Sequence, residues 1–149
     1  MLTITHKRGK LDPRLPHLVF IDGQYVATMN SDRLRVEIPP GVYTLRVQFG
    51  GQVPIGKKGK TLDLSLSSAK QIEVPAHGDL DISFQDRERL WNILFDIDLV
   101  AWLVSLFVTM PTIYKIVSDA FFAVWLIRLV AIRKRYYKII LKKGIAAAV

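Results

Sequence analysis

The stretch His17-Leu-Val-Phe-Ile-Asp22-Gly23-Gln-Tyr-Val-Ala-Thr-Met29 predicts a β-hairpin. Two runs rich in β-branched and aromatic residues flank the Asp22-Gly23 pair, which is a strong signal for a tight turn. Glycine reaches positive φ angles without steric cost, and aspartate tolerates them better than most residues. The hairpin therefore indicates an antiparallel β-domain and sets the register of its neighbouring strands.

Further strands are predicted on both sides of this hairpin. Residues 33–38 alternate charged and apolar side chains, so the apolar ones share a face. Pro39-Pro40-Gly41 ends that strand, and residues 42–49 form the longest run. The remaining candidates are residues 2–5, 61–66, 71–74 and 80–84. Seven or eight strands in residues 1–86 predict an N-terminal antiparallel β-sandwich.

The segment at residues 18–51 resembles the PEGA-type repeat of bacterial surface and envelope proteins. In that family a strand ending in Asp-Gly precedes a strand ending in Pro-Gly, an aromatic residue or histidine, and an apolar strand. Asp22-Gly23 and Pro40-Gly41 followed by Tyr43 match this pattern, whereas Met29 stands where the family has proline. The resemblance implies a small sandwich that serves packing and adhesion, and it implies no catalytic activity.

Beyond Asp86 the composition changes. Residues 1–86 hold eight of the nine glycines and six of the seven prolines, and all three tryptophans follow later. Two mostly apolar stretches of equal length, 90–110 and 112–132, are separated by Pro111. Each would be ~31 Å long as a helix, about the thickness of a bilayer's hydrocarbon core. We therefore expect a C-terminal transmembrane or membrane-associated helical hairpin over residues 87–132.

Charged residues interrupt both stretches, and two of them are predicted to pair. Asp96 and Arg128 are separated from Pro111 by similar lengths of chain on its two sides, which places them at nearly the same depth of a folded hairpin. Ions inside a membrane are tolerated when they are paired. We interpret Asp96 and Arg128 as a structural charge pair. The alternative is a proton or ion path through Asp96 and Asp98.

The net charge of +8 is concentrated behind the hairpin, in a basic tail at residues 133–149. Its cations are Arg133, Lys134, Arg135, Lys138, Lys142 and Lys143. Basic clusters next to an apolar helix bind anionic lipid headgroups, so we interpret the tail as a membrane-interface cluster. Together with the missing signal peptide, the positive-inside rule predicts the inner membrane, with the β-domain in the cytoplasm. Nucleic-acid binding is the weaker interpretation of the same charges.

No motif of an enzyme stands out. Cysteine is absent, which excludes thiol chemistry and cysteine-based metal sites, and the three histidines lack the spacing of metal ligands. The segment from Gly51 to Lys57 has the spacing of a phosphate-binding loop, but Lys58 stands where serine or threonine must follow. We therefore expect no catalytic residue, no metal and no cofactor.

Two function classes compete. The first is a membrane-anchored, non-enzymatic interaction or scaffold module that binds anionic lipid and a protein partner or a second copy of itself. The second is a small membrane-disrupting effector whose β-domain is a sensor. It would be similar to bacterial anti-phage effectors that combine a β-barrel with two helices, although there the helices come first. A third interpretation is a soluble oligomer that buries the helical hairpin.

Overall fold

A computed structural model describes residues 1–10, 12–56 and 59–143, including all of their side chains except those of residues 52, 53, 55 and 143. The chain forms two units. The β unit consists of residues 1–86 together with the segment that begins at Arg133, and the helical unit consists of residues 87–132. The helices are therefore an insertion into the sequence of the β unit.

The β unit is built from two four-stranded sheets and a small hairpin. The first sheet has the order β10-β9-β1-β4, the second has the order β3-β2-β5-β8, and β6 pairs with β7. Among the described strands, β1 runs parallel to β9 and every other pair is antiparallel. The strand bounds are β1 Leu2–His6, β2 His17–Ile21, β3 Gln24–Met29, β4 Arg33–Val36, β5 Gly41–Phe49, β6 Gln52–Ile55, β7 Lys60–Asp63, β8 Leu66–Val74, β9 Leu80–Asp86 and β10 Tyr137–Lys143.

The inward faces of the two sheets form the core. Side chains alternate between the faces of a strand, so every second residue of each sheet points inward. Ile4 and Phe84 of the first sheet and Val19, Leu45 and Val47 of the second have no exposed surface. Burial of such a side chain stabilises a fold by about 1.5–3 kcal/mol. The prediction of a β-rich, sandwich-like fold is confirmed.

The β2–β3 turn lies where the sequence predicts it. Asp22 and Gly23 both have positive φ angles, of 50° and 79°. The backbone N–H of Thr44 donates to the Asp22 carboxylate at 2.7 Å, and the Asp22 N–H donates to the Thr44 carbonyl at 3.0 Å. The turn is therefore tied to the neighbouring strand β5 as well as closing its own hairpin.

The predicted strand pattern is wrong in two respects. The strand expected at residues 61–66 is broken, because the carboxylate of Asp63 accepts hydrogen bonds from the backbone N–H and the hydroxyl of Ser65. These bonds hold the pKa of Asp63 below its ordinary value and form a local turn between β7 and β8. The sandwich is also not fully antiparallel, because β1 pairs with β9 in the parallel direction.

The basic tail folds into the β unit. Arg133–Arg135 form a single 3-10 turn, and β10 then pairs antiparallel with β9. Tyr136 and Tyr137 of this tail are only 5% and 3% exposed. The alternation of side chains along the strand explains the burial of Tyr137, since β10 turns Tyr137 and Ile139 inward and leaves Lys138 exposed. Residues 144–149 of the predicted tail lie outside the described part of the chain.

The helical unit contains α1, Arg89–Ser105, and α2, Thr112–Ile132. Their aromatic side chains interlock, with the rings of Phe95 and Trp125 stacked at a centroid distance of 4.0 Å. Neither described helix combines the length and apolar character needed to span a bilayer. The predicted membrane hairpin is therefore wrong. One reason is that α1 ends after 17 residues, and another is that α2 carries Lys115, Asp119 and Arg128 among its 21.

Candidate functional site

The outer surface of the helical unit is unusually apolar. No residue of α1 is buried, and Ser118 is the buried residue of α2. Exposed fractions reach 77% for Leu90, 61% for Ile97, 76% for Ile113 and 63% for Ile116. Exposed apolar side chains also follow one another directly along α1, so they surround the helix instead of forming a single stripe. A helix that is apolar on all sides is normally covered by other groups.

A cleft of about 320 Å³ opens between the two helices. Phe95, Leu99, Trp102 and Phe122 give it apolar walls, and Asp98, Ser118 and Asp119 complete its lining. The Ser118 hydroxyl donates to the Asp98 carboxylate at 2.8 Å, which satisfies one polar group at the cleft. The cleft can accept an apolar side chain of about the size of leucine or phenylalanine from outside the helical unit.

The predicted charge pair has a different partner in the structure. The guanidinium group of Arg128 donates two hydrogen bonds to the carboxylate of Glu88, at 2.8 and 3.1 Å. These bonds raise the pKa of Arg128 above its ordinary value. Arg128 also lies over the ring of Trp91, with 5.1 Å between the guanidinium carbon and the ring centroid. Among the described residues, no ion pair joins Arg128 to Asp96.

The length of the loop explains why Asp96 is the wrong partner. The helices end at Ser105 and begin at Thr112, so the chain between them does not contribute helical rise. Counted from these two helix ends, Glu88 and Arg128 are almost equally far from the loop. Asp96 is much nearer to the loop. Measured along the helix axis, the positions of Asp96 and Arg128 differ by ~10 Å.

Besides Arg128 and the exposed Arg87 and Arg89 at the start of the helical unit, three charged side chains are exposed among its apolar residues. Asp96 on α1 and Lys115 and Asp119 on α2 are all exposed. Lys115 and Asp119 have the spacing of an i,i+4 pair, but the described residues form no ion pair with either of them or with Asp96. The surface thus carries charges of both signs that can pair with groups from another molecule.

The six cations predicted to bind lipid are spread over the β unit. Arg133 donates from Nη1 to the backbone carbonyl of Asp63, which leaves it half-buried. Lys134 and Arg135 are exposed on the 3-10 turn. Lys138 and Lys142 project from β10 opposite Gln85 and Asp81, and Lys143 ends that strand with a side chain outside the described part.

A buried aromatic cluster inside the β unit was missed by the sequence interpretation. The ring of His17 lies 4.6 Å from that of His6, 5.2 Å from that of Phe84 and 5.4 Å from that of Tyr137. Burial, reinforced by the neighbouring His6, lowers the pKa of His17 to about 4. His6 faces the carboxylate of Asp86 at 3.9 Å. Among the described residues, no three histidine or carboxylate side chains are placed so that they could hold a metal ion.

Comparison with protein-family models, with curated proteins and with solved structures gives no match for this chain. The surfaces of its own two units are therefore the basis for a functional assignment. The helical unit presents exposed apolar side chains along both of its helices.

Proposed function

We propose that this protein is a non-enzymatic interaction module that assembles through its helical unit. In the assembly, the helices of a second copy cover the apolar surface of α1 and α2. The observation that carries the proposal is the exposure of apolar side chains along both helices, on the sides that do not face the other helix. Large contiguous apolar surfaces mark sites of association, because water contact with them is unfavourable.

The exposed charges favour a second copy of this chain as the partner. In a two-fold symmetric interface, if one residue of the first copy contacts another residue of the second copy, the reverse contact is also made. The helical surface carries Lys115 together with Asp96 and Asp119. A second copy therefore supplies a cation for an aspartate and an aspartate for the lysine. Hydrocarbon tails supply neither, and an unpaired ion in that environment is costly.

The dimensions of the helical unit also fit self-association. A helix of the length of α1 spans ~25 Å, and two helices side by side are ~20 Å wide, which gives a face of roughly 500 Å² before surface relief is counted. Stable interfaces bury ~800 Å² per partner. Two helical units packed across such a face form a four-helix arrangement that approaches this area, with side chains of one copy filling the cleft of the other.

For the β unit we propose a packing and adhesion role, on the basis of its PEGA-like pattern. Asp22-Gly23 and Pro40-Gly41 followed by Tyr43 carry that resemblance. The positive φ angles at Asp22 and Gly23 support it, because a tight turn is what the Asp-Gly pattern requires.

The proposal is tested by measuring the mass of the purified chain with light scattering after size-exclusion chromatography, over about 1 to 100 μM. We expect a dimer or a higher multiple. The test variant combines two substitutions. Leu99→Gln changes a residue that lines the cleft, and Ile116→Gln replaces a side chain that is 63% exposed. Together they are expected to raise the dissociation constant of the dimer about tenfold or more.

The matched control is Val42→Gln, which changes an apolar side chain that is 58% exposed on β5 of the β unit. It is expected to leave the mass unchanged. A wild-type chain that stays monomeric at all concentrations would contradict the proposal. So would a chain that is monomeric in buffer and is captured by vesicles of anionic lipid, because lipid would then be the group that covers the helices.

A further inference from the structure

We propose that a groove on the outer face of the first sheet binds a small phosphate ester. The groove has a volume of about 350 Å³, which is within the range of small-molecule sites. Its walls and floor come from β1, β4, β9 and β10, so it lies entirely on the β unit. The proposal is independent of the assembly through the helices.

The strand register places polar side chains in two rows across the sheet. One row consists of Lys142, Asp81, Thr3 and Arg35, in the order β10-β9-β1-β4. In the next row Ser83 of β9, Thr5 of β1 and Arg33 of β4 lie side by side. The centre of the groove thus carries the hydroxyl groups of Thr3, Thr5 and Ser83 and the carboxylate of Asp81, and cations stand at its sides.

The floor of the groove contains an unsatisfied hydroxyl group. Ser83 is only 3% exposed and lines the groove, and its Oγ has no hydrogen-bond partner in the part of the chain that the structure describes. A buried polar group without a partner costs about 1–3 kcal/mol. A ligand oxygen at the floor would satisfy the Ser83 hydroxyl.

The cations of the groove are free to bind an anion. Lys7, Arg33, Arg35 and Lys142 line it, and none of them forms an ion pair with a described residue. Arginine side chains present two parallel N–H donors, a geometry that matches the oxygens of a phosphate group. Arg33 and Lys7 lie at the end of the groove that contains the Ser83 hydroxyl. We therefore place the phosphate of the ligand at that end.

The opposite end of the groove selects a ligand that is more than an inorganic anion. Asp81 lines this end, and Asp79 is held by the amino group of Met1 at 3.3 Å. A free carboxylate repels a second phosphate but accepts hydrogen bonds from hydroxyl or amino groups. The arrangement therefore fits an ester that has a phosphate at one end and hydroxyl groups at the other, as a sugar phosphate or a nucleoside monophosphate has.

The test is calorimetric titration of the intact chain with adenosine monophosphate and with glucose 6-phosphate. Adenosine and glucose serve as the uncharged probes. We expect saturable binding of at least one ester, tighter than about 1 mM, and no binding of the uncharged probes. Arg33→Gln is expected to weaken that binding about tenfold or more, because it removes a charge-assisted hydrogen bond. If both esters bind to the same extent, the phosphate is the recognised group. If only one binds, the result shows whether the ligand is a nucleotide or a sugar phosphate.

Ser83→Ala separates ligand binding from a structural role. Because the Ser83 hydroxyl has no partner among the described residues, removing it is expected to leave the thermal midpoint unchanged or to raise it. Binding is nevertheless expected to weaken several-fold. The matched control is Arg14→Gln, which removes an exposed arginine that does not line the groove.

Two results would overturn the proposal. The first is the absence of saturable binding by either ester at about 10 mM in low salt. The second is binding that Arg14→Gln weakens as much as Arg33→Gln, because the attraction would then come from the overall positive charge of the chain. Thermal midpoints of Arg33→Gln and Arg14→Gln verify that both variants are folded.

Discussion

Glu88 and Arg128 form a two-pronged ion pair between residues that are 40 positions apart in sequence. It joins the residue directly before α1 to the last turns of α2, at the end of the helical unit opposite the connecting loop. The carboxylate is the more enclosed partner, with a side chain that is 12% exposed against 47% for the arginine. The pair therefore holds the open ends of the two helices together.

This pair is expected to show energetic coupling that Asp96 does not share. In a double-mutant cycle, Glu88→Gln and Arg128→Gln together should destabilise the chain by less than the sum of the single changes, because each single change already breaks the pair. Asp96→Asn with Arg128→Gln should be additive. Unfolding in urea, followed by tryptophan fluorescence, measures both cycles. Coupling in the Asp96 cycle alone would restore the pairing expected from the sequence.

Tyr137→Ala is expected to destabilise the β unit by about 3 kcal/mol or more, because large aromatic side chains leave a cavity when they are truncated in a core. Tyr137 is 3% exposed and its ring lies 5.5 Å from that of Phe84. Tyr25→Ala is the control, since Tyr25 is 59% exposed. Equal and small losses of stability for both variants would show that β10 does not contribute to the core.

The stability of the β unit is expected to fall as the pH drops from 6.5 towards 4. The pKa of His17 is about 4 in the folded chain and 6.5 in the unfolded chain, so unfolding takes up a proton in this window. Above pH 6.5 His17 is neutral in both states and does not reduce the free energy of unfolding. Below pH 4 that free energy is about 3 kcal/mol lower, because unfolding then releases a histidine that is easier to protonate. The neighbouring His6 adds to the lowering of the pKa of this histidine, and Asp86 opposes it.

Urea denaturation at a series of pH values checks this expectation. His17→Phe keeps an aromatic ring in the cluster and should flatten the dependence between pH 6.5 and 4. His77→Gln removes an exposed histidine and should leave the dependence as it is in the wild type. An unchanged slope in His17→Phe would mean that another group takes up the proton.

Gly23→Val is expected to destabilise the β2–β3 hairpin by about 1–2 kcal/mol, because a β-branched residue disfavours the left-handed backbone conformation. Gly23 has a φ of 79°, and a side chain at this position would meet no atom within 4 Å, so the loss is conformational and not steric crowding. Gly23→Asn should cost much less, since asparagine tolerates this conformation.

Thermal midpoints measure the difference between the two Gly23 variants. Gly51→Ala is the matched control, because a side chain there also has open space and Gly51 is not among the residues with positive φ. It should leave the midpoint nearly unchanged. A Gly23→Val midpoint equal to that of Gly51→Ala would exclude a conformational requirement at the turn.

Local signals predicted the local structure well. The Asp22-Gly23 turn and the strands around it follow from residues that are neighbours in sequence. The pairing of β1 with β9 could not be predicted, because the two strands are far apart in sequence and no nearby turn links them. The sequence of β10 did contain a signal, since Tyr137, Ile139 and Leu141 alternate with Lys138 and Lys142. The prediction of lipid binding rested on the basic residues of this segment and did not use the alternation.

The errors about the helical unit have a common origin in treating an apolar stretch as a continuous helix. Residues 106–111 belong to the connection, which shortens α1 and shifts every depth counted from Pro111. For the same reason, Asp96 and not Glu88 was the expected partner of Arg128. Helix ends depend on backbone geometry around the loop, and hydropathy alone does not locate them.

The place of the helices within the chain also determines the order in which the protein can fold as it is synthesised. Tyr137 pairs with Asp86, although it is translated only after both helices. At typical rates of synthesis this interval lasts roughly 3–10 s. During it the hydrogen-bonding edge of β9 has no neighbour from β10, while the apolar helices have already been synthesised. A nascent chain therefore depends on β10 to cover this edge of β9, and this interval is when the chain is most exposed to capture by chaperones or by other chains.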